Sequence, residues 1–243
     1  MNRKEFSTHI SEQVNRNLED LFNQILEMGG LVERQLVDVK HALETNSSES
    51  ARAAIELDKV INREESIVDY KCATVLARTQ PQASDLRLII IAIRVAIDLE
   101  RMGDETVKIA QMALSSCDSM QECEALPGYA SLIKIMDCSC SMLQTTLNAF
   151  SVLNINNIAK VFEDETRMDQ ELASATLILK EAMSQPNANI DLLLDMYKAL
   201  RAAERITDHA QNIAESVIYL VKGEDVRNID SEALAELLAS KES

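Results

Sequence analysis

The pattern Glu-Arg-apolar-x-Asp-x4-Ile-Ala occurs twice, at residues 100–110 and 204–214. Superimposing Glu100 on Glu204 sets Arg101 on Arg205, Asp104 on Asp208, Ile109 on Ile213 and Ala110 on Ala214. Met102 falls on Ile206, which keeps an apolar residue at that place. Both copies lie in apolar runs with helical spacing, and positions i and i+4 of a helix stack on one face. Each copy therefore presents two carboxylates side by side, next to an apolar stripe that faces a core. A chain with two such helices in matching register is expected to be a duplicated helical structure.

Like charges at i,i+4 cost a few tenths of a kcal/mol, roughly. A single Glu-x3-Asp is ordinarily solvated surface, but two in register call for a reason. Paired carboxylates completed by a neighbouring helix make an oxygen site for a hard cation such as Mg, Ca, Mn or Fe. The competing reading is that Arg101 and Arg205 pair with the acids and the motif only packs two equivalent bundles.

Breakers are sparse: five Gly and three Pro among 243 residues, with no Trp. Together with abundant Leu, Ala, Ile, Glu and Met, this points to long helices. Aromatics make up 3%, which argues against a β-sandwich. The net charge of −16 and the lack of a basic run exclude nucleic acid as the expected partner and favour cations or basic protein surfaces. Five cysteines without a C-x-x-C pair form no zinc or disulfide framework, so reduced thiols packed in a cytoplasmic protein are expected. The opening residues lack the apolar stretch of a signal peptide. The most apolar run, residues 86–99, is interrupted by Arg87, Arg94 and Asp98 and is too short to span a bilayer. Membrane association is expected only through a partner.

Periodicity predicts six long helices. The first covers residues 7–45, with Ile10, Val14, Leu18, Leu21, Ile25 and Met28 recurring at threes and fours. Gly29 and Gly30 in its middle mark a kink or a close helix contact. The second covers 48–79 and carries Asp58, Asn62, Glu65 and Asp69 along one stripe. The third covers 84–116 with Glu100 and Asp104. Residues 117–128 are the loosest connection. The pattern restarts with helices at 129–153, 157–184 and 190–222. The fifth carries Glu165 and Asp169, and the sixth carries Glu204 and Asp208 and stops at Gly223. The expected architecture is all-α: two tandem antiparallel three-helix bundles at 1–120 and 125–225, followed by an acidic C-terminal tail at 226–243.

Gln80-Pro81, the run Ala83-Ser84-Asp85-Leu86-Arg87-Leu88, the first motif from Asp98 to Asp104 and Val221-Lys-Gly-Glu-Asp-Val together resemble the PhoU family. The resemblance covers roughly residues 7–239. It implies two symmetrical three-helix bundles and a homodimer. It also implies a cytoplasmic regulator of phosphate uptake and phosphate homeostasis. Such a protein is an adaptor between the ATPase subunit of the phosphate ABC transporter and the phosphate-sensing histidine kinase, and a negative regulator of the phosphate-starvation regulon. Some members hold multinuclear Fe, Mn or Zn at their Glu/Asp-x3-Asp motifs. Carried over, this assigns metal to Glu100, Asp104, Glu204 and Asp208, with Asp58, Asn62, Glu165 and Asp169 as secondary ligands.

The chain departs from the family pattern where Gly103 becomes Thr207 and Asp98 becomes Ala202 in the second copy. The two faces are therefore expected to be unequal, with the first binding cations better. His209 is expected at the helix surface or beside an acid. The alternative function is a metal-dependent carboxylate-site enzyme on a helical bundle. Against it, the motif helices carry no Glu-x-x-His, and no nucleophile elbow or Gly-rich phosphate loop appears. No catalytic residue is assigned.

Overall fold

A computed structural model describes residues 12–81, 83–115, 119–227 and 229–239. Its helices are α1 (Glu12–Thr45), α2 (Ser48–Arg78), α3 (Ala83–Ser115), α4 (Met120–Glu124), α5 (Tyr129–Val152), α6 (Ala159–Met183), α7 (Ile190–Lys222) and α8 (Ser231–Ala239). The six long helices fall where periodicity places them; residues 7–11 of the expected first helix lie outside the described residues.

Local chemistry sets the boundaries. Ser47 caps α2, its Oγ accepting from Ser50 N at 3.2 Å. Asn46, just before it, takes the left-handed conformation (φ 52°) that Asn tolerates. Asn189 caps α7, accepting from Leu192 N at 3.2 Å. Gly223 ends α7 with φ 82°, a conformation that strains any residue with a Cβ.

Helices α1, α2 and α3 pack on one another, as do α5, α6 and α7. The two sets join chiefly through α3 against α7, the most extensive helix pair among the described residues, and also through α1 against α5. Both α3 and α7 bury long apolar series, including Leu88, Ile91, Val95, Leu99 and Ile109 on α3 and Leu200, Ile206, Ile213 and Val217 on α7. Their buried alanines, among them Ala92, Ala96, Ala203 and Ala210, suit close helix approach. The α1–α5 contact carries Phe22 stacked on Phe150, with ring centroids 4.6 Å apart. It also explains one glycine: a Cβ on Gly29 would stand 2.6 Å from Leu147 Cδ2, whereas one on Gly30 would meet nothing within 4 Å.

Polar contacts lock the α3–α7 seam. Asp98 accepts from Asn212 Nδ2 at 3.2 Å and lies 2.9 Å from His209 Nδ1, so the histidine does sit beside an acid. Arg205 crosses to Glu105 at 3.1 Å. Arg87 reaches the carbonyl of Leu220 at 3.5 Å near the end of α7. Arg87 and Arg94 both lie over the Tyr219 ring, at 5.6 and 5.9 Å. The Asp-Leu-Arg segment singled out in the sequence thus ties the start of α3 to the end of α7.

Two features differ from expectation, a one-turn helix and a disulfide. The connection before α5 contains the one-turn helix, α4, capped by Ser119. The acidic C-terminal segment, whose composition also permits a helix, forms α8, whose Leu234, Leu237 and Leu238 pack against the core. Cys123 is disulfide-bonded, whereas Cys72, Cys138 and Cys140 are free thiols as expected. Cys123 lies on α4, outside the long helices whose spacing keeps cysteines apart. Burial pushes the Cys72 thiol up to about 12 and the Cys140 thiol up to about 11, so neither is a thiolate near neutrality.

Candidate cation sites on the paired motifs

The second motif builds the tighter carboxylate cluster. Glu165 and Asp169 stack one turn apart on α6, and Asp208 meets them from α7. One oxygen from each lies within 4.8 Å of the others. These three negative groups share one space because the apolar stripes beside them, Met168 on α6 and Ile206 on α7, are both buried and draw the helices together. The electrostatic consequence is large. Burial, then the charges of Asp169 and Asp208, push the Glu165 carboxyl up to about 7. Asp208 is likewise raised, by burial and then by Asp169, with His209, Arg201 and Arg205 opposing.

Glu204 stands outside that trio. Its Oε1 takes Arg201 Nη1 at 2.8 Å, while its Oε2 is buried without a hydrogen-bond partner. Its carboxyl is raised, by burial and then by Asp208. The arginine of the motif itself, Arg205, pairs with Glu105 across the seam rather than with Glu204 or Asp208. In the second copy the motif arginine thus spends its ion pair on Glu105 and reaches Asp208 only through its charge.

The first motif is looser. Burial raises the Glu100 carboxyl, followed by the charges of Asp104, Glu65 and Asp58, with Arg101 opposing. Burial and then Asp104 raise Asp58; the amides of Gln35 and Asn62 partly offset this. Asn62 Nδ2 donates to Asp58 Oδ2 at 3.3 Å. All four first-bundle residues therefore share one neighbourhood with Glu65. Yet among the described residues no three acids of this bundle converge as Glu165, Asp169 and Asp208 do. Carboxylate geometry thus favours the second bundle, the reverse of the expected ranking. Matched spacing places acids along one helix and cannot show which acids of facing helices meet. Asp104 and Asp208 nevertheless line one open groove between α3 and α7, together with Arg101, Arg205 and His209.

The cluster on α6 and α7 suits a hard cation. It offers carboxylate oxygens at reach, a raised acid that a positive charge would ionise, and in Glu204 Oε2 a buried acceptor still lacking a partner. Sequence reasoning missed Gln35 on α1, because nothing in the motif points to a third helix.

The PhoU domain family model matches residues 25–113 and 132–217. The chain is 42% identical over 229 residues to the phosphate-specific transport system accessory protein PhoU homolog of Pseudomonas aeruginosa, covering 94% of this chain and 93% of that protein. It is 34% identical over 243 residues to the phosphate-specific transport system accessory protein PhoU of Escherichia coli K12, covering 100% and 99%. In three dimensions it is similar to the crystal structure of PhoU from Pseudomonas aeruginosa, with TM-score 0.80 and 41% identity over 86% of this chain and 99% of that one. The phosphate transport system regulatory protein PhoU from Streptococcus pneumoniae gives TM-score 0.76 at 28% identity, covering 88% and 99%.

Proposed function

The chain belongs to the PhoU family, and from that premise we propose that it is an accessory regulator of phosphate transport. The observation that carries this reading is likeness over nearly the whole of both chains to proteins named for the phosphate-specific transport system. The finer reading is an adaptor that meets the ATPase subunit of the phosphate ABC transporter and the phosphate-sensing histidine kinase in the cytoplasm, as a homodimer, and holds the starvation regulon off when phosphate is ample. Two properties support it. No described helix is long and apolar enough to cross a membrane, so a membrane address comes from partners. The surface is strongly acidic, which suits basic partner surfaces.

Metal belongs to this reading as a structural element rather than a catalyst. Glu165, Asp169 and Asp208, with Glu204 beside them, would hold Fe, Mn or Zn on the second bundle. Glu100, Asp104, Asp58 and Asn62 would do so on the first. A bound cation supplies positive charge that offsets carboxylate repulsion and clamps α6 to α7 or α2 to α3. Ligand binding to the folded state alone adds about 2.7 kcal/mol at a hundredfold excess over Kd.

The test is complementation. In a host lacking its own PhoU, the chain should return a phosphate-starvation promoter to repression in ample phosphate and co-purify with the transporter ATPase subunit. An unrepressed promoter with no co-purification would reject the adaptor. Metal analysis of chelator-free protein, against Glu165→Ala/Asp208→Ala and Glu100→Ala/Asp104→Ala, decides the cation separately; equal metal in all three proteins rejects these faces as its sites.

A further inference from the structure

Beyond the bridge from Arg205 to Glu105, the α3–α7 seam opens into a cavity of about 490 Å3. That volume lies in the range of small-ligand sites, about 300–1,000 Å3. The two helices run antiparallel: Arg87 meets Leu220, Asp98 meets Asn212 and Glu105 meets Arg205. The next turn along each helix therefore sets Lys108 opposite Arg201, and both line the cavity.

The lining reverses the charge balance of the chain. The whole sequence has 24 Lys and Arg against 40 Asp and Glu. The cavity has Lys108, Lys198, Arg201 and Arg205 against Glu105 and Asp195. Glu105 is buried, and its Oε1 takes both Lys108 Nζ at 2.8 Å and Arg205 Nη1 at 3.1 Å. One carboxylate oxygen thus anchors cations from two facing helices. In these bonds the ammonium uses one of its three donors and the guanidinium one of its five. Lys198 and Arg201 are held by Asp195 and Glu204, each at 2.8 Å. The four cations keep between 42% and 72% of their side-chain surface exposed. Ion pairs open to water are weak, so an anion of higher charge would draw these groups in at small cost.

The floor is apolar. Met112 and Ala202 are buried, and the part-exposed ring of Tyr197 lines the cavity beside them. A positive rim on such a floor suits a ligand with an anionic head and a flat ring. Arg and Lys are the usual side-chain partners of phosphate, and an aromatic side chain stacks a nucleobase. We propose that this cavity binds a nucleotide, its phosphates among Lys108, Arg201 and Arg205 and its base against Tyr197 over Met112. With no Gly-rich loop to offer backbone amides, the side-chain cations carry the phosphates. The proposal is independent of metal at the carboxylate cluster and of the adaptor role.

The experiment is calorimetric titration of the chelator-treated full chain, at low ionic strength, with ADP, pyrophosphate and adenosine in turn. Circular dichroism checks the fold of each variant. ADP should bind about tenfold more tightly than pyrophosphate, the worth of one stacked base, and adenosine should bind most weakly. Lys108→Gln/Arg201→Gln should weaken ADP and pyrophosphate alike, by about tenfold or more. Tyr197→Leu should bring ADP down to the level of pyrophosphate and leave pyrophosphate unchanged, a split that mere destabilisation does not produce. Arg34→Gln/Lys59→Gln removes two exposed cations outside the cavity, with the same change of net charge, and should alter neither ligand. No uptake of ADP overturns the proposal. So does an equal response of the two double variants, which would place the attraction in the field of the whole protein. Pyrophosphate that matches ADP, with Tyr197→Leu without effect, overturns the nucleotide and leaves an anion site without a seat for a base.

Discussion

Gly29 and Gly30 are neighbours in the middle of α1, and the same substitution should have opposite signs at the two. In a helix interior, Gly→Ala gains about 1 kcal/mol from restricting the unfolded chain and shielding the backbone. At Gly30 the new Cβ has nothing within 4 Å and the position is exposed, so that gain should appear in full. For a chain of this length, Gly30→Ala should raise Tm by about 2–4 °C. At Gly29 the Cβ would lie 2.6 and 2.8 Å from the two Leu147 methyl carbons. Leu147 is itself buried, so relief requires a rotamer change in a filled space or separation of α1 from α5. Overpacking of this kind costs about 1–3 kcal/mol, which cancels the helix gain and leaves a net loss of up to about 2 kcal/mol. Urea unfolding of the two variants beside the parent measures both. Equal stabilisation of Gly29→Ala and Gly30→Ala would refute the close α1–α5 contact. A cycle sharpens the test: adding Leu147→Ala should couple favourably with Gly29→Ala by about 1 kcal/mol or more, and not with Gly30→Ala.

Further predictions concern the seam and the cluster. Asp98→Ala leaves His209 Nδ1 and Asn212 Nδ2 without their shared acceptor and should lower stability by about 1–3 kcal/mol in the same unfolding assay. Gly223→Ala places a Cβ in the left-handed region and 2.7 Å from Arg87 Nη1; a loss of about 1–2 kcal/mol is expected from the backbone alone. Glu165 is raised from the ordinary 4.5 to about 7 in the folded protein, so the folded state binds the extra proton. Its contribution to metal-free stability is therefore fully present below about 4.5 and lost as pH rises through about 7. A pH series of melts should show that slope, and Glu165→Gln should flatten it. Metal affinity at this cluster should move the other way, rising with pH as Glu165 ionises, with proton release below about pH 7 seen by titration in buffers of different ionisation enthalpy.

The six long helices, their order and their ends were legible because they are local. Threes and fours of apolar residues, Ser47 and Asn189 as caps and Gly223 as a stop are read along a single helix. The duplicated motif also placed Glu100 and Asp104 on a face matched by Glu204 and Asp208, and i,i+4 spacing set Glu165 and Asp169 on one stripe of the fifth helix. Which of them meet was not legible. Both copies have the same spacing, yet Asp208 joins Glu165 and Asp169 while Glu204 turns to Arg201.

The sequence by itself determined an all-α duplicated chain, the stripe on which each acid stands, and the unlikeness of the two copies at Gly103 and Thr207. Only the tertiary structure decided what that unlikeness means. Gly103 leaves room where α1, α2 and α3 meet, and Gln35 fills the other side of that room from a helix far away in the chain. Likewise two adjacent glycines, indistinguishable by propensity, are separated by whether Leu147 stands over one of them. Spacing along a helix fixes direction around its own axis. The distance between side chains on different helices depends on how each helix is rotated and how closely it approaches, and those are settled by packing of the whole core.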